Sequence, residues 1–181
     1  MEEGEEAAGG LREIGNLASW SVTSAKPGNG VELLRDGDAA TFWQSDGVQP
    51  HLITAQFEQR VELLELHLLL DFKLDESYTP NKLVVRAGTG CHDLKDIAVL
   101  DLKEPSGWMK TDLWHLGPGQ QVVPLRAFCL QVAILSNHQN GRDTHVRGVR
   151  VLGPRPHPQS SLGFPLSLEA HAAAGPYATV R

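Results

Sequence analysis

Apolar positions along the chain recur with period two or in short continuous runs, and not with the 3.6-residue spacing of a helix face. "HLITAQF" (51–57) alternates cleanly, which sends successive side chains to opposite faces of a strand. "ELLELHLLLD" (62–71) is apolar without interruption for part of its length and reads as a strand covered on both faces. "KLVVRAG" (82–88), "IAVLDL" (97–102) and "FCLQVAIL" (128–135) predict further strands, and "WSVTSA" (20–25) and "TFWQS" (41–45) shorter ones. In "HVRGVRVL" (145–152), Val146 falls on one face and Val149 and Val151 on the other, which predicts a twist or bulge at Gly148. Only "VELLRD" (31–36) has helical character, for a turn or two.

Turn signals separate these runs: "KPGNG", "RDGD", "SDGVQP", "AGTG", "EPSG" and "GPG". Many short strands with regular turns predict an all-β fold: a β-sandwich, barrel or jelly roll. No internal repeat is visible. In such folds the strands build the core, and function falls to loops at one end.

The ends of the chain differ from its body. Residues 1–10 form an acidic, Gly-rich leader, expected to be disordered. Residues 154–181 carry five prolines without periodicity and read as a flexible tail. The folded body is then residues 11–153. Within 181 residues, 41% hydrophobic and 21% charged positions fit an ordinary globular protein. A net charge of -6 with no Lys/Arg cluster argues against nucleic acid, whose affinity comes from neutralised phosphates. The longest apolar run, "LHLLLDF", is far short of a membrane span, and the acidic leader is no targeting signal. A cytosolic or nuclear residence is expected. Cys91 and Cys129 have no metal-ligand spacing and lie in or beside apolar stretches. They read as two buried thiols of a reducing compartment, with a disulfide between them left open.

The chemistry concentrates in three polar loops. "NHQNGRDTH" (137–145) has no aliphatic side chain, yet sits between two apolar strands. "DFKLDESYTPN" (71–81) and "WQSDGVQPH" (43–51) are the others. No nucleophile elbow, P-loop or dinucleotide fingerprint is present. Cys91-His92-Asp93 are sequence neighbours, and on a strand neighbours point to opposite faces, so no catalytic residues are expected. His138, His145 and Asp143 could form a 2-His-1-carboxylate set. Against it, Asn140-Gly141 is a strong turn signal, whereas metal sites are usually held on rigid elements. "RDGDAAT" (35–41) is better read as a turn closed by Asx hydrogen bonds than as a calcium loop. No metal or cofactor is expected. What remains is recognition: amides, a carboxylate, a guanidinium and imidazoles suit reading a peptide or a sugar by hydrogen bonds. Trp43 is expected to anchor the core rather than to serve as a ligand platform.

"REIG" (12–15), "WSVTSAKPGNGV" (20–31), "LRD" (34–36), "TFWQSDGVQPHL" (41–52), "DESYTP" (75–80), "EPSGW" (104–108) and "NHQNGRDTH" (137–145) together resemble the DOC domain. The similarity is to the DOC-domain subunits of the anaphase-promoting complex, or cyclosome, over about residues 12–152. It implies a jelly roll of the galactose-binding type and a non-catalytic role in a ubiquitin ligase. The family acts with a WD40 co-activator to capture the destruction box of cell-cycle substrates, and so raises processivity. By motif, Ser77, Asn140, Asp143 and His145 are the implied degron-binding residues, supported by Gln139 and Arg142. The family's tail commonly ends in Ile-Arg, which docks on a TPR scaffold subunit. Here Val180 and Arg181 stand in that place, and a valine loses one methylene, worth about 0.8 kcal/mol if buried. Residence in nucleus and cytoplasm follows from the resemblance. The alternative is a lectin-like, carbohydrate-binding module with Tyr78 as aromatic platform.

Overall fold

The computed structural model describes residues 10–155. The leader at residues 1–9 and the tail from 156 onward, including Val180 and Arg181, lie outside the described residues. Twelve strands form the body: β1 (Leu11–Glu13), β2 (Ala18–Val22), β3 (Trp43–Gln44), β4 (His51–Leu63), β5 (Glu65–Asp71), β6 (Pro80–Gly88), β7 (Lys95–Asp101), β8 (Ser106–Asp112), β9 (Trp114–Leu116), β10 (Val122–Asn137), β11 (His145–Val146) and β12 (Gly148–Pro154). One sheet has the order β1-β12-β5-β8. The other runs β2-β4-β10-β6-β7, with β9 joined to β10, and β3 pairs with β11 apart from both. Every pairing is antiparallel. This is the predicted two-sheet jelly roll.

The inner faces meet in one core. Leu66, Leu68, Leu70, Val149 and Val151 come from the first sheet, and Ile53, Phe57, Leu83, Val85, Leu130, Val132 and Ile134 from the second. Trp43 is fully buried and donates its indole N–H to the Ser24 carbonyl at 2.9 Å. It is therefore the core anchor that its sequence context predicts. The "VELL" turn is a 3-10 helix, Val31–Leu34.

The strand predicted over 62–71 is two strands. The chain leaves one sheet at Leu63 and enters the other at Glu65, with the Leu64 amide bound to the Leu152 carbonyl at 2.8 Å. The apolar run hides this because Leu63 and Leu66 both face the shared core. Within β5 the burial alternates, with Leu66, Leu68 and Leu70 inward and the positions between them half-buried. The predicted bulge at Gly148 is instead a strand break at Arg147, between β11 and β12. Val146, Val149 and Val151 all reach the core because the backbone is re-aimed there. A Cβ on Gly148 would lie 3.0 Å from the Trp108 ring, a tight fit that glycine relieves.

Register then sets where the loops go. In β10, Ile134 pairs with His51 at the start of β4, and Asn137 pairs with Pro80 at the start of β6. Hence the segments 44–51, 71–80 and 137–145 leave the sandwich at the same end. The β6–β7 connection leaves at the other.

Candidate recognition surface

The segment after β5 is helical rather than an open loop. Asp71 Oδ1 accepts from the amides of Lys73 (3.0 Å) and Leu74 (3.3 Å), capping a single α-turn at Phe72–Asp75. A 3-10 turn at Glu76–Tyr78 follows, entered by Glu76 at φ 45°. A second 3-10 turn, His138–Asn140, follows β10. The two turns lock together through His138. Its amide and its Nδ1 both reach the Thr79 carbonyl, at 2.9 and 3.0 Å, while Nε2 accepts from the Glu104 amide at 3.2 Å. Both ring nitrogens are thereby engaged by backbone. Among the described residues no three His, Cys, Asp or Glu side chains converge.

Gly141 completes the join. A Cβ there would collide with the Ser77 carbonyl. The turn signalled by Asn140-Gly141 is present, with its positive φ values at Gln139 (53°) and Asn140 (56°) and Gly141 at φ −61°. Glycine is required by close approach and not by backbone conformation.

The following backbone is held by buried and half-buried side chains. Gln49 Nε2 donates to the Gly141 carbonyl (3.0 Å), His51 Nε2 to that of Arg142 (2.6 Å) and Asn137 Nδ2 to that of Asp143 (2.7 Å). Ser45 takes both polar groups of Thr144, its amide donating to the Thr144 carbonyl (3.1 Å) and its Oγ accepting from the Thr144 amide (2.9 Å). Such pairing offsets the desolvation of buried polar groups. In the 35–41 turn, Asp36 accepts from the Asp38 amide (2.9 Å) and Thr41 hydroxyl (2.6 Å), and Asp38 from the Ala40 amide (2.8 Å), as an Asx-closed turn predicts.

Beneath the surface lies an aromatic ladder on a buried ion pair. The His145 ring stacks between Phe42, at 4.0 Å, and Tyr78, at 4.2 Å. Its Nδ1 donates to Asp75 Oδ1 at 3.0 Å. Arg147 meets the same carboxylate twice, Nε to Oδ2 at 2.8 Å and Nη2 to Oδ1 at 2.7 Å, and gives Nη1 to the Ala39 carbonyl at 2.9 Å. Burial alone would push the Asp75 carboxyl up. The hydrogen bonds from His145 and Arg147 outweigh it and hold the group below its ordinary value. The bond to Asp75 raises Arg147 above its own ordinary value, so both charges are kept.

The implied site residues meet at this end but differ in depth. Gln139, Asn140 and Arg142 are exposed, and Ser77 and Asp143 are half-buried. Asp143 has Lys26 at 3.9 Å. His145 is 9% exposed, and its Nε2 is buried without a partner. Sequence reasoning missed the roles of Phe42, Lys26, Gln49, Asn137 and Arg147. Gln49 and Asn137 stood in loops already marked as polar. Arg147 stood in a strand string and carried no signal.

The model of the family described as anaphase-promoting complex, subunit 10, matches residues 1–173. Anaphase-promoting complex subunit 10 of Drosophila melanogaster is 47% identical over 150 residues, 83% of this chain and 75% of the relative. The Homo sapiens protein of that name is 47% identical over 161 residues, 88% and 84% of the two chains. The chain belongs to the anaphase-promoting complex subunit 10 family. The match reaches subunit DOC1 of Saccharomyces cerevisiae, at 33% identity over 80% of this chain and 57% of that one. Among solved structures, the family 32 carbohydrate-binding module of Clostridium perfringens NanJ, in complex with galactose, aligns at TM-score 0.63 and 11% identity. It covers 78% of this chain and 98% of that one. At such identity the likeness is one of fold, and membership in the subunit 10 family rests on sequence.

Proposed function

We propose that the chain serves as subunit 10 of an anaphase-promoting complex and, beside a WD40 co-activator, reads the destruction box of substrates without doing bond chemistry. The observation that carries this is the junction of two 3-10 turns at one end of the jelly roll. It brings Ser77, Gln139, Asn140 and Asp143 onto one surface, over backbone held by buried and half-buried side chains. A destruction box is a short extended peptide whose recognition needs main-chain hydrogen bonds and a few side-chain contacts. A surface held before binding loses little entropy on capture, while ordering the peptide still costs several kcal/mol. Sharing the peptide with a co-activator supplies contacts and effective concentration that one small surface lacks.

Within this reading Asn140 and Asp143 make direct contacts, with Gln139 and Arg142 in support. His145 acts mainly by supporting Tyr78. Its Nε2 is the ring atom left for a degron, and because it is buried, reaching it requires a local rearrangement. Val180 and Arg181 dock on a TPR scaffold subunit, and the complex resides in nucleus and cytoplasm. The test is a reconstituted ligase carrying Asn140→Ala and Asp143→Ala. Each should lower processivity on a destruction-box substrate by about 3- to 10-fold, the equivalent of one or two hydrogen bonds, with assembly intact. Unchanged ubiquitination in an intact complex would refute the assignment. Deleting Val180 and Arg181 should instead weaken assembly, and undiminished association with the scaffold would remove the docking role.

A further inference from the structure

Far from the recognition surface, the two cysteines of the chain face each other. Cys129 sits on β10, opposite Gly88 at the end of β6, and Cys91 follows in the β6–β7 connection. Their sulfurs are 3.8 Å apart. The expectation of two buried thiols holds only for Cys129, because Cys91 is exposed. The connection bulges outward, held by Asp93, whose carboxylate accepts from the amides of Thr89 (3.2 Å) and Gly90 (2.8 Å) and from the Thr89 hydroxyl. That turn presents one thiol to solvent and keeps it over the other.

We propose that Cys91 and Cys129 form a dithiol modification site that takes low-molecular-weight disulfides such as oxidised glutathione. The Cys91 thiolate attacks one sulfur of the glutathione disulfide. A mixed disulfide forms on Cys91 and one glutathione thiolate leaves. Cys129, deprotonated, then attacks Cys91 Sγ, forming the internal disulfide and releasing the second glutathione thiolate. Two protein thiols are oxidised, one glutathione disulfide is reduced, and the two thiol protons pass to the two leaving thiolates. Geometry assigns the order, since an external disulfide reaches the exposed sulfur first. Closing 3.8 Å to the S–S bond of about 2.0 Å asks for a shift of about 1.8 Å. The connection, unlike the central strand β10, is placed to supply it.

The second step is the slow one. Burial, the largest cause of the raised Cys129 thiol, persists once Cys91 is glutathionylated, so few molecules present the Cys129 thiolate at neutral pH. The mixed disulfide should therefore accumulate before it resolves. The linkage would pin the β6–β7 connection to β10, closing a loop across a sequence separation of 38. From Cys129 to Asn137 is eight residues of strand, about 26 Å, so the recognition surface should be unaffected. This inference does not depend on the proposed function.

The test exposes the full chain to oxidised glutathione and follows it by intact mass and non-reducing peptide mapping. The expected course is one glutathionyl group on Cys91, replaced over time by a Cys91–Cys129 link, with resolution faster at higher pH. Cys129→Ala should stall at the mixed disulfide, and Cys91→Ser should leave Cys129 unmodified. The linked form should melt about 8–15 °C higher than the reduced chain, the range expected for closing a loop of this length. A wild-type chain that stays at the mixed disulfide, links to a second molecule or does not react overturns the proposal. The wild-type map decides the matter even if Cys129→Ala fails to fold.

Discussion

Replacing Arg147 by methionine tests the architecture beneath the recognition surface. The change removes two hydrogen bonds to Asp75, of 2.8 and 2.7 Å, and one to the Ala39 carbonyl. It also leaves Asp75, 3% exposed, with only the His145 imidazole. Breaking one partner from a buried ion pair costs about 3–5 kcal/mol, because the other charge stays buried and uncompensated. For the 146 residues from 10 to 155, an unfolding entropy of about 2.1 cal/mol/K per residue gives about 0.3 kcal/mol/K, so the melting temperature should fall by about 10–16 °C.

The pH dependence carries a second signature. In the native protein Asp75 lies below its ordinary value of 3.8, so the unfolded chain binds more protons there. Its contribution is present above about pH 4 and is lost as pH falls through the folded value. Arg147→Met removes one of the two partners that outweigh burial, so the Asp75 carboxyl rises from its native position. The variant then loses less stability than the wild type as pH falls, and its deficit shrinks. Urea unfolding of both proteins at a series of pH values from neutral to about 4 measures this. A loss below about 1 kcal/mol, or parallel pH profiles, would refute the view that Arg147 holds a charged Asp75. Pairing Arg147→Met with Asp75→Leu should recover part of the loss, since an apolar pair can replace a buried ion pair at little net cost.

Two further changes probe the backbone of the site. Ser45→Ala strips the Thr144 amide of its acceptor in a fully buried position and should cost about 1–3 kcal/mol in urea unfolding; a loss near zero would mean that the 141–144 backbone is not anchored there. Gly141→Ala forces the Ser77 carbonyl away, so amide exchange across 76–79 and 138–144 should accelerate and degron capture weaken, while an unchanged exchange pattern would show that the two turns are not locked together.

The jelly roll was legible because its inward positions are coded locally. Ile53, Ala55 and Phe57 alternate along β4, and "FCLQVAIL" marks the centre of β10. What periodicity missed had physical causes. The change of sheet at Leu64 is masked by apolar residues on both sides that share one core. Strand β8, "SGWMKTD", buries only Thr111, so half its pattern is missing and it resembles the turn before it. The helical turns at 72–78 rest on one capping carboxylate, Asp71, without a periodic face. Cys91 is apolar by type, yet the Asp93-held turn carries it into solvent. The site residues were reached by motif, whereas Arg147 and Asp75 pair across 72 residues and nothing local announces it.

That long-range pairing changes what "NHQNGRDTH" means. Read as a string, its polar side chains look like a set of free hydrogen-bonding groups. In the fold, Asn137, His138 and Thr144 are turned inward onto backbone, and His145 is held between two rings above Asp75. Their polarity ties the loop to the sandwich through hydrogen bonds to backbone. The groups facing out reduce to Gln139, Asn140, Arg142 and part of Asp143, with Ser77 beside them. So small a set, each member worth about 0.5–1.5 kcal/mol net, only about matches the several kcal/mol needed to order a peptide and leaves little surplus. A surface of this kind should discriminate well and bind weakly alone, which is the physical reason that the proposed function includes a second receptor for the other half of the degron.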